Sequence, residues 1–325
     1  MANETIRLWT GVTVPRLGMG CWAIGGPYHS GETALSWGRV DDRESHAAIE
    51  RALDLGIRFF DTASSYGAGH SEQILGAALK NRSDVVIATK FGNVFDPSTK
   101  QALGVNATPA FIRESTEQSL RRLQRDRLDL LQFHLNRYSV EESLAVFDTL
   151  DELGHEGKIT AYGWSTDDPK GAEVFANRRG FVAVQHNLNV LDPAPEMIAL
   201  VDRLGLISIN RGPLAMGLLS GKFDHTKLPD NDVRSSDAVW LRYFKDGSVR
   251  PEFRRKLDSV RELLRSDGRT LVQGALGWIW ATSSRTLPIP GFRNVAQVEE
   301  NVGALAKGPL SAAVMAEIRT LIEPD

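Results

Sequence analysis

The chain is short of several things, and each shortage narrows the reading. It has one cysteine, Cys21, in 325 residues. A single thiol forms no intramolecular disulfide and no zinc site built on several thiolates. No apolar run nears the roughly 20 residues needed to cross a bilayer. Leu271 to Ala281 is one of the longest, and Gly and Gln interrupt it. The opening MANETIRLWTG carries an acidic residue and no apolar stretch, so no secretory leader is expected there. Charge of one sign is not in excess either: 38 Lys and Arg stand against 41 Asp and Glu, a formal net charge of −3. That balance argues against nucleic acid or an anionic membrane as partner. The seven histidines form no H-x-H or H-x-x-x-H pair near an expected strand end, which speaks against a metal-dependent barrel hydrolase. No G-x-G-x-x-G joins a strand to a helix. These readings point to a cytoplasmic protein without a metal site.

What is present is a rhythm. Short β-rich apolar runs alternate with longer amphipathic ones. Eight strands are expected: Leu17–Trp22, Ile57–Asp61, Val85–Lys90, Leu128–His134, Ile159–Ser165, Phe181–Gln185, Leu206–Asn210 and Thr286–Pro290. Helical patterns stand between them, as in Thr108–Leu123, where Thr108 suits the N-cap and Pro109 the first turn. Regular β-α alternation implies parallel strands with helical crossovers. Eight units without a linker or a shift in composition favour one α/β domain over residues 1–325, a (β/α)8 TIM barrel. Arg7–Arg16 reads as a β-hairpin ahead of the first strand, plugging the bottom of the barrel. The stretch from Arg211 to about Pro251 is a long loop after strand seven, and loops of that length are commonly functional.

In such a barrel the active site lies at the C-terminal ends of the strands. Asp61, Lys90, His134, Ser165, Gln185 and Arg211 end strands or follow them, and Tyr66 sits in the loop after Asp61. Each alone has an ordinary structural explanation, such as a loop cap, a snorkelling amine or a core imidazole. Together an acid, an amine, a phenol and an imidazole form a coherent proton-transfer set. An Asp61–Lys90 pair keeps the ammonium charged, and that ammonium is expected to lower the Tyr66 pKa toward working pH. The phenol then gives a proton to a developing alkoxide, with His134 orienting the carbonyl. Trp22, Phe91, Phe95 and Trp164 are expected to line an apolar substrate pocket.

The pattern resembles the aldo-keto reductase superfamily over nearly the whole chain. The segments that carry the resemblance are Phe59–Leu79, Val86–Gly92, Ser119–His134, Gly212–Phe223 and Ile289–Asn301. The resemblance implies a catalytic tetrad of Asp61, Tyr66, Lys90 and His134, with Tyr66 as the general acid-base. It implies NADPH/NADP as cofactor in preference to NAD, and a small carbonyl or alcohol as substrate. Ser165, Thr166 and Gln185 would hold the nicotinamide end. Arg211, Gly212, Pro213, Leu214 and Leu218 would border the nicotinamide and the pyrophosphate. Gly291, Arg293, Gln297, Glu300 and Asn301 would hold the adenosine end, with Arg293 beside the 2′-phosphate. Three departures from the family pattern stand out. Thr166 stands where Asn is frequent, and Arg211 where a Tyr commonly stacks on the nicotinamide. Gly291, Phe292 and Gln297 replace the usual Lys or Ser and Arg. The resemblance also admits a second reading, a nucleotide-binding regulatory subunit with little turnover, as in potassium-channel beta subunits.

Overall fold

The computed structural model describes residues 4–223, 227–229, 232–236, 238 and 240–322. Eight parallel strands follow one another around a single sheet: Met19–Gly20, Phe59–Asp61, Val86–Phe91, Leu130–Phe133, Tyr162–Ser165, Phe181–Asn187, Ile207–Arg211 and Thr286–Pro288. Each neighbours the next in sequence. The last then returns to the first. Gly18 N donates to Pro288 O at 2.9 Å and Gly20 N to Pro290 O at 3.0 Å, and Gly20 bridges Gly291 in parallel. The sheet is thus a closed (β/α)8 barrel. Glycine permits the seam, since a Cβ on Gly20 would lie 2.6 Å from Ile289 O.

Strand alternation sorts the side chains into two layers. Phe59, Val86, Ala88, Leu130, Ala183, Ile207, Ile209 and Leu287 fill the barrel interior. Phe60, Ile87, Phe91, Leu131, Phe133, Tyr162, Trp164 and Val184 face outward, under the helices. The expected hairpin is present, Thr5–Arg7 paired antiparallel with Thr13–Pro15. Its Ile6, Leu8 and Val14 join the interior cluster, and Trp9 Nε1 donates to Asp129 O at 3.1 Å. It closes the bottom of the barrel, leaving the opposite rim for chemistry.

The helices begin where residue chemistry favours a start. Pro109–Leu123, Pro169–Phe175, Pro195–Leu204 and Pro251–Leu264 all open on proline, whose missing N–H costs nothing in the first turn. Thr108 caps the first of these, and Thr270 with Gln273 forms a capping box ahead of Leu271–Thr282. Two helices went unread in the sequence, Asp42–Asp54 and Ala312–Ile322. The first strand is also shorter than expected: after Gly20 the chain turns into a 3-10 helix, Cys21–Ile24, which carries Trp22. Beyond strand three a hairpin, Asn93–Asp96 with Gln101–Val105, rises from the rim. The segment after strand seven holds short 3-10 turns at Ala215–Ser220 and Val233–Ser235 and a small hairpin, Phe244–Lys245 with Ser248–Val249.

Helix–helix contact sets one tight limit. A Cβ on Gly274 would stand 1.8 Å from Leu264 O, whereas Gly154 has nothing within 4 Å. Gly274→Ala should lower stability by about 3 kcal/mol through overpacking. Gly154→Ala should raise it by about 0.5 kcal/mol through helix propensity. Urea denaturation of the two variants beside the parent checks the opposite signs.

Candidate active site

Four side chains meet at the barrel mouth. Asp61 ends strand two and Lys90 stands near the end of strand three, both pointing inward and almost wholly buried. Lys90 Nζ bonds Asp61 Oδ1, donates to Thr62 O at 2.8 Å and reaches the Tyr66 hydroxyl at 3.3 Å. The second Asp61 oxygen accepts from Gln132 Nε2 at 3.0 Å and Gln185 Nε2 at 2.8 Å. Tyr66 is held from behind by close backbone contact. Its neighbour Gly67 has φ +60°, and a Cβ there would overlap Gly25 O at 1.7 Å. His134, just past strand four, meets Tyr66 edge-on with ring centroids 6.0 Å apart, and its Nδ1 lies 3.3 Å from Asn93 Nδ2.

The local fields fix the protonation states. Burial pulls the Lys90 ammonium down, but Asp61 and then Tyr66 outweigh it and hold its pKa above the usual value. Tyr66 behaves otherwise than expected. Lys90 does lower it, yet burial is the larger effect and the phenol sits above its ordinary pKa. Tyr66 therefore carries its proton at neutral pH. Burial, then the Lys90 and Arg211 charges, push His134 well below the usual imidazole range, so it is neutral.

Aromatic rings wall the mouth on one side. Trp22 stacks on Tyr66 at 6.1 Å and 27°. Trp37 meets Trp22 at 5.1 Å and Trp240 meets it at 6.1 Å. Trp37 and Trp240 come from loops, and no local pattern in the sequence marks them. Of the expected pocket residues only Trp22 stands there. Phe91 and Trp164 are corrections: each is about 1% exposed and lies in the outer core, near Phe133. The alternation that turns Lys90 and Ser165 inward turns their neighbours outward. Phe95 sits on the hairpin after strand three, against the Arg122 guanidinium.

The expected cofactor residues divide in the same way. The Ser165 side chain is buried at the rim, on the inward side of its strand. Thr166 is committed: it donates to Asn136 O at 2.7 Å and accepts from Asp168 N. The Gln185 amide nitrogen is spent on Asp61 and Gln132, so Gln185 braces the acid. Arg211 shares its strand's inward parity with Ile209, and it pairs with Asp167. Gly212, Pro213, Leu214 and Leu218 follow it along the rim, and Gly212 O accepts from Asn189 Nδ2 at 2.9 Å. Arg293 donates to the carbonyls of Trp37 and Arg39, leaving the guanidinium partly occupied. Gln297 Oε1 accepts from Arg293 N at 2.7 Å, and buried Asn301 donates to Gly291 O. Glu300 borders a cleft of about 350 Å³ lined also by Ser220, Gly221, Arg261, Arg265 and Arg269.

An acid, an amine, a phenol and an imidazole thus share one barrel rim. The aldo/keto reductase family model matches residues 16–323. Aldo-keto reductase YhdN of Bacillus subtilis is 30% identical over 326 residues, spanning 97% of this chain and 92% of that one. The NADP(+) aldo-keto reductase yakc of Schizosaccharomyces pombe is 29% identical, over 94% of this chain and 88% of its own. The NADH-specific methylglyoxal reductase of Escherichia coli is 30% identical, over 91% of each. Among solved structures, the holo form of aldo-keto reductase AKR11C1 from Bacillus halodurans superposes with a TM-score of 0.77 at 30% identity, over 98% of this chain and 96% of that one. The chain belongs to the aldo/keto reductase family and is an oxidoreductase. No helix among the described residues is long and apolar enough to cross a membrane.

The buried imidazoles make stability depend on pH. His186, on strand six, is held down to about 4, chiefly by burial, and His134 is lowered as well. The unfolded chain takes up these protons near pH 6.5, while the folded chain resists them. Stability is therefore full above that value and falls as the pH drops toward 4. His186 alone should cost about 2 kcal/mol between pH 7 and pH 5. Urea midpoints at the two pH values measure this, and equal midpoints would contradict it.

Proposed function

We propose that this chain is an NADPH-dependent carbonyl reductase, converting aldehydes or ketones to alcohols reversibly, with Tyr66 giving the proton. The observation that carries the reading is the Lys90 ammonium, which binds Asp61 and the Tyr66 hydroxyl at once in a buried pocket. A bound reduced nicotinamide supplies the hydride. The Tyr66 phenol, protonated at neutral pH, donates to the carbonyl oxygen as negative charge grows there. Lys90 stabilises the phenolate left behind, and Asp61 keeps Lys90 charged. His134 orients the same oxygen from the far side of the phenol. Trp22, Trp37 and Trp240 give the substrate's body an apolar wall and exclude water.

Ser165 is the natural partner for the nicotinamide carboxamide, because its hydroxyl both donates and accepts. The rim from Gly212 to Leu218 would run beside the pyrophosphate. Gly291, Gln297, Glu300 and Asn301 would hold the adenosine end. NADP over NAD rests on arginine at that end. Arg293 is one candidate, and the cleft beside Glu300 adds Arg261 and Arg265. Arginine suits a phosphate through its forked donors. The relatives' names carry both cofactors, so the preference is a proposal for this chain. Arg211 pairs with Asp167, yet its charge is still felt at His134, so it acts at the nicotinamide end as a cation as well as through its donors. The expected setting is cytoplasmic.

NADPH and NADH oxidation over a panel of aldehydes, ketones and sugars tests the cofactor and the substrate class together. Tyr66→Phe should lower kcat about 1,000-fold while NADPH still binds. Near-full turnover by that variant would remove Tyr66 from its role. Tight nucleotide binding by the parent with no turnover of any carbonyl would favour the regulatory-subunit reading instead.

A further inference from the structure

Each nitrogen of a neutral imidazole has a separate duty, because one donates and the other accepts. In His134 one of them is already engaged. Asn93 Nδ2 lies 3.3 Å from His134 Nδ1. With the amide nitrogen turned to the ring, as it stands here, only donors face Nδ1, which is then the acceptor and bears no proton. No hydrogen bond to Nε2 is formed among the described residues. We propose that Asn93 is a positioning residue that locks His134 as the Nε2–H tautomer, giving the pocket a fixed hydrogen-bond donor for the carbonyl oxygen. The use of that donor rests on the carbonyl-reductase reading; the tautomer itself does not.

The surroundings support one proton on the ring rather than two. Lys90 and Arg211 are the cations that act on His134, and both oppose a second proton, as does burial. Their carboxylate partners, Asp61 and Asp167, are occupied by them. Tyr66 faces the ring edge-on. None of these groups supplies an acceptor bond that would hold a proton on Nδ1.

The fold makes the contact firm. Strands three and four are in register at Phe91 and Phe133, and His134 N donates to Phe91 O at 2.9 Å. Gly92, with φ +123°, then turns the chain, and Asn93 opens the Asn93–Asp96 strand, paired with Val105. The amide therefore sits on a hydrogen-bonded hairpin whose base is tied to the residue it orients. A donor with a fixed direction needs no reorganisation when charge develops on the substrate oxygen. The opposite tautomer would present a lone pair to that oxygen.

Asn93→Asp inverts the polarity. A carboxylate only accepts, so it would draw the proton to Nδ1 and favour the imidazolium. Long-range proton–nitrogen NMR of the NADPH-bound full chain reads the tautomer directly. The parent should show neutral Nε2–H through the neutral range. Asn93→Asp should show Nδ1 protonated, with the His134 titration raised by about one pH unit or more. Its kcat should fall about tenfold or more with little change in KM for NADPH, and its pH–rate profile should gain a limb at the new His134 titration. Asn93→Leu removes the bond without adding charge. It should show mixed tautomers, lose kcat and gain no such limb. A parent spectrum with the proton on Nδ1 overturns the proposal, as does an Asn93→Asp enzyme with an unchanged tautomer and pH profile. The spectrum needs no turnover. An Nε2–H ring in a parent that reduces no carbonyl would uphold the tautomer and sink the functional reading alone.

Discussion

The site depends on one buried ion pair, Lys90 with Asp61. Removing an ammonium and a carboxylate from water costs several kcal/mol each unless every polar valence is met. Here they are met. The three ammonium protons have three acceptors: Asp61 Oδ1, Thr62 O and the Tyr66 hydroxyl. The carboxylate takes that ammonium on one oxygen and two amide donors, from Gln132 and Gln185, on the other. These groups come from strands two, three, four and six and from the loop after strand two. Closing the barrel is what brings them together. The pair in turn ties the Tyr66 hydroxyl directly to a buried charge.

Below this polar layer the interior is apolar, and the change falls at a definite level. Ala88 lies inside the barrel two residues before Lys90, and Phe59 two residues before Asp61. Parity along each strand carries a hydrophobic floor upward to a reactive rim. Loop aromatics then close the rim where strand residues do not reach. The tryptophans around Tyr66 come from two connections, Trp22 and Trp37 after strand one and Trp240 after strand seven, so the pocket wall belongs to the loops and the proposed proton-transfer set to the scaffold and its nearest turns. That division lets a barrel keep its chemistry while the shape of its mouth varies.

Much of this was legible in the sequence, and the rest was hidden for physical reasons. Strand ends and helix starts are local matters, so Asp61, Lys90 and His134 and the helices that open on Pro109, Pro169 and Pro195 stood out. The helix Asp42–Asp54 was missed because its first turn, Asp-Arg-Glu-Ser, shows no apolar face; its inward side opens on Ser45 before Ala48, Ile49, Ala52 and Leu53. Phe91 and Trp164 were misread although the information was there, since a residue beside an inward Lys90 or Ser165 must face outward. Gln132, Trp37, Trp240 and Asn93 have no sequence signal of their own, because their neighbours are set by strand register and loop path. The Tyr66 shift was a question of magnitude: a nearby cation can be read from a motif, but the depth of burial that outweighs it cannot.

The hairpin that closes the barrel floor bears on how the chain reaches this state. Ile6, Leu8 and Val14 touch residues drawn from the second strand to the eighth. Arg16, next in the chain, bonds the carbonyls of Trp280, Ser283 and Thr286, more than 260 positions away. Contacts of such separation carry the largest loop-closure entropy and form late. The hairpin leaves the ribosome before every barrel strand yet is among the last segments to be satisfied, and its apolar residues wait for a floor that exists only after strand eight has been made.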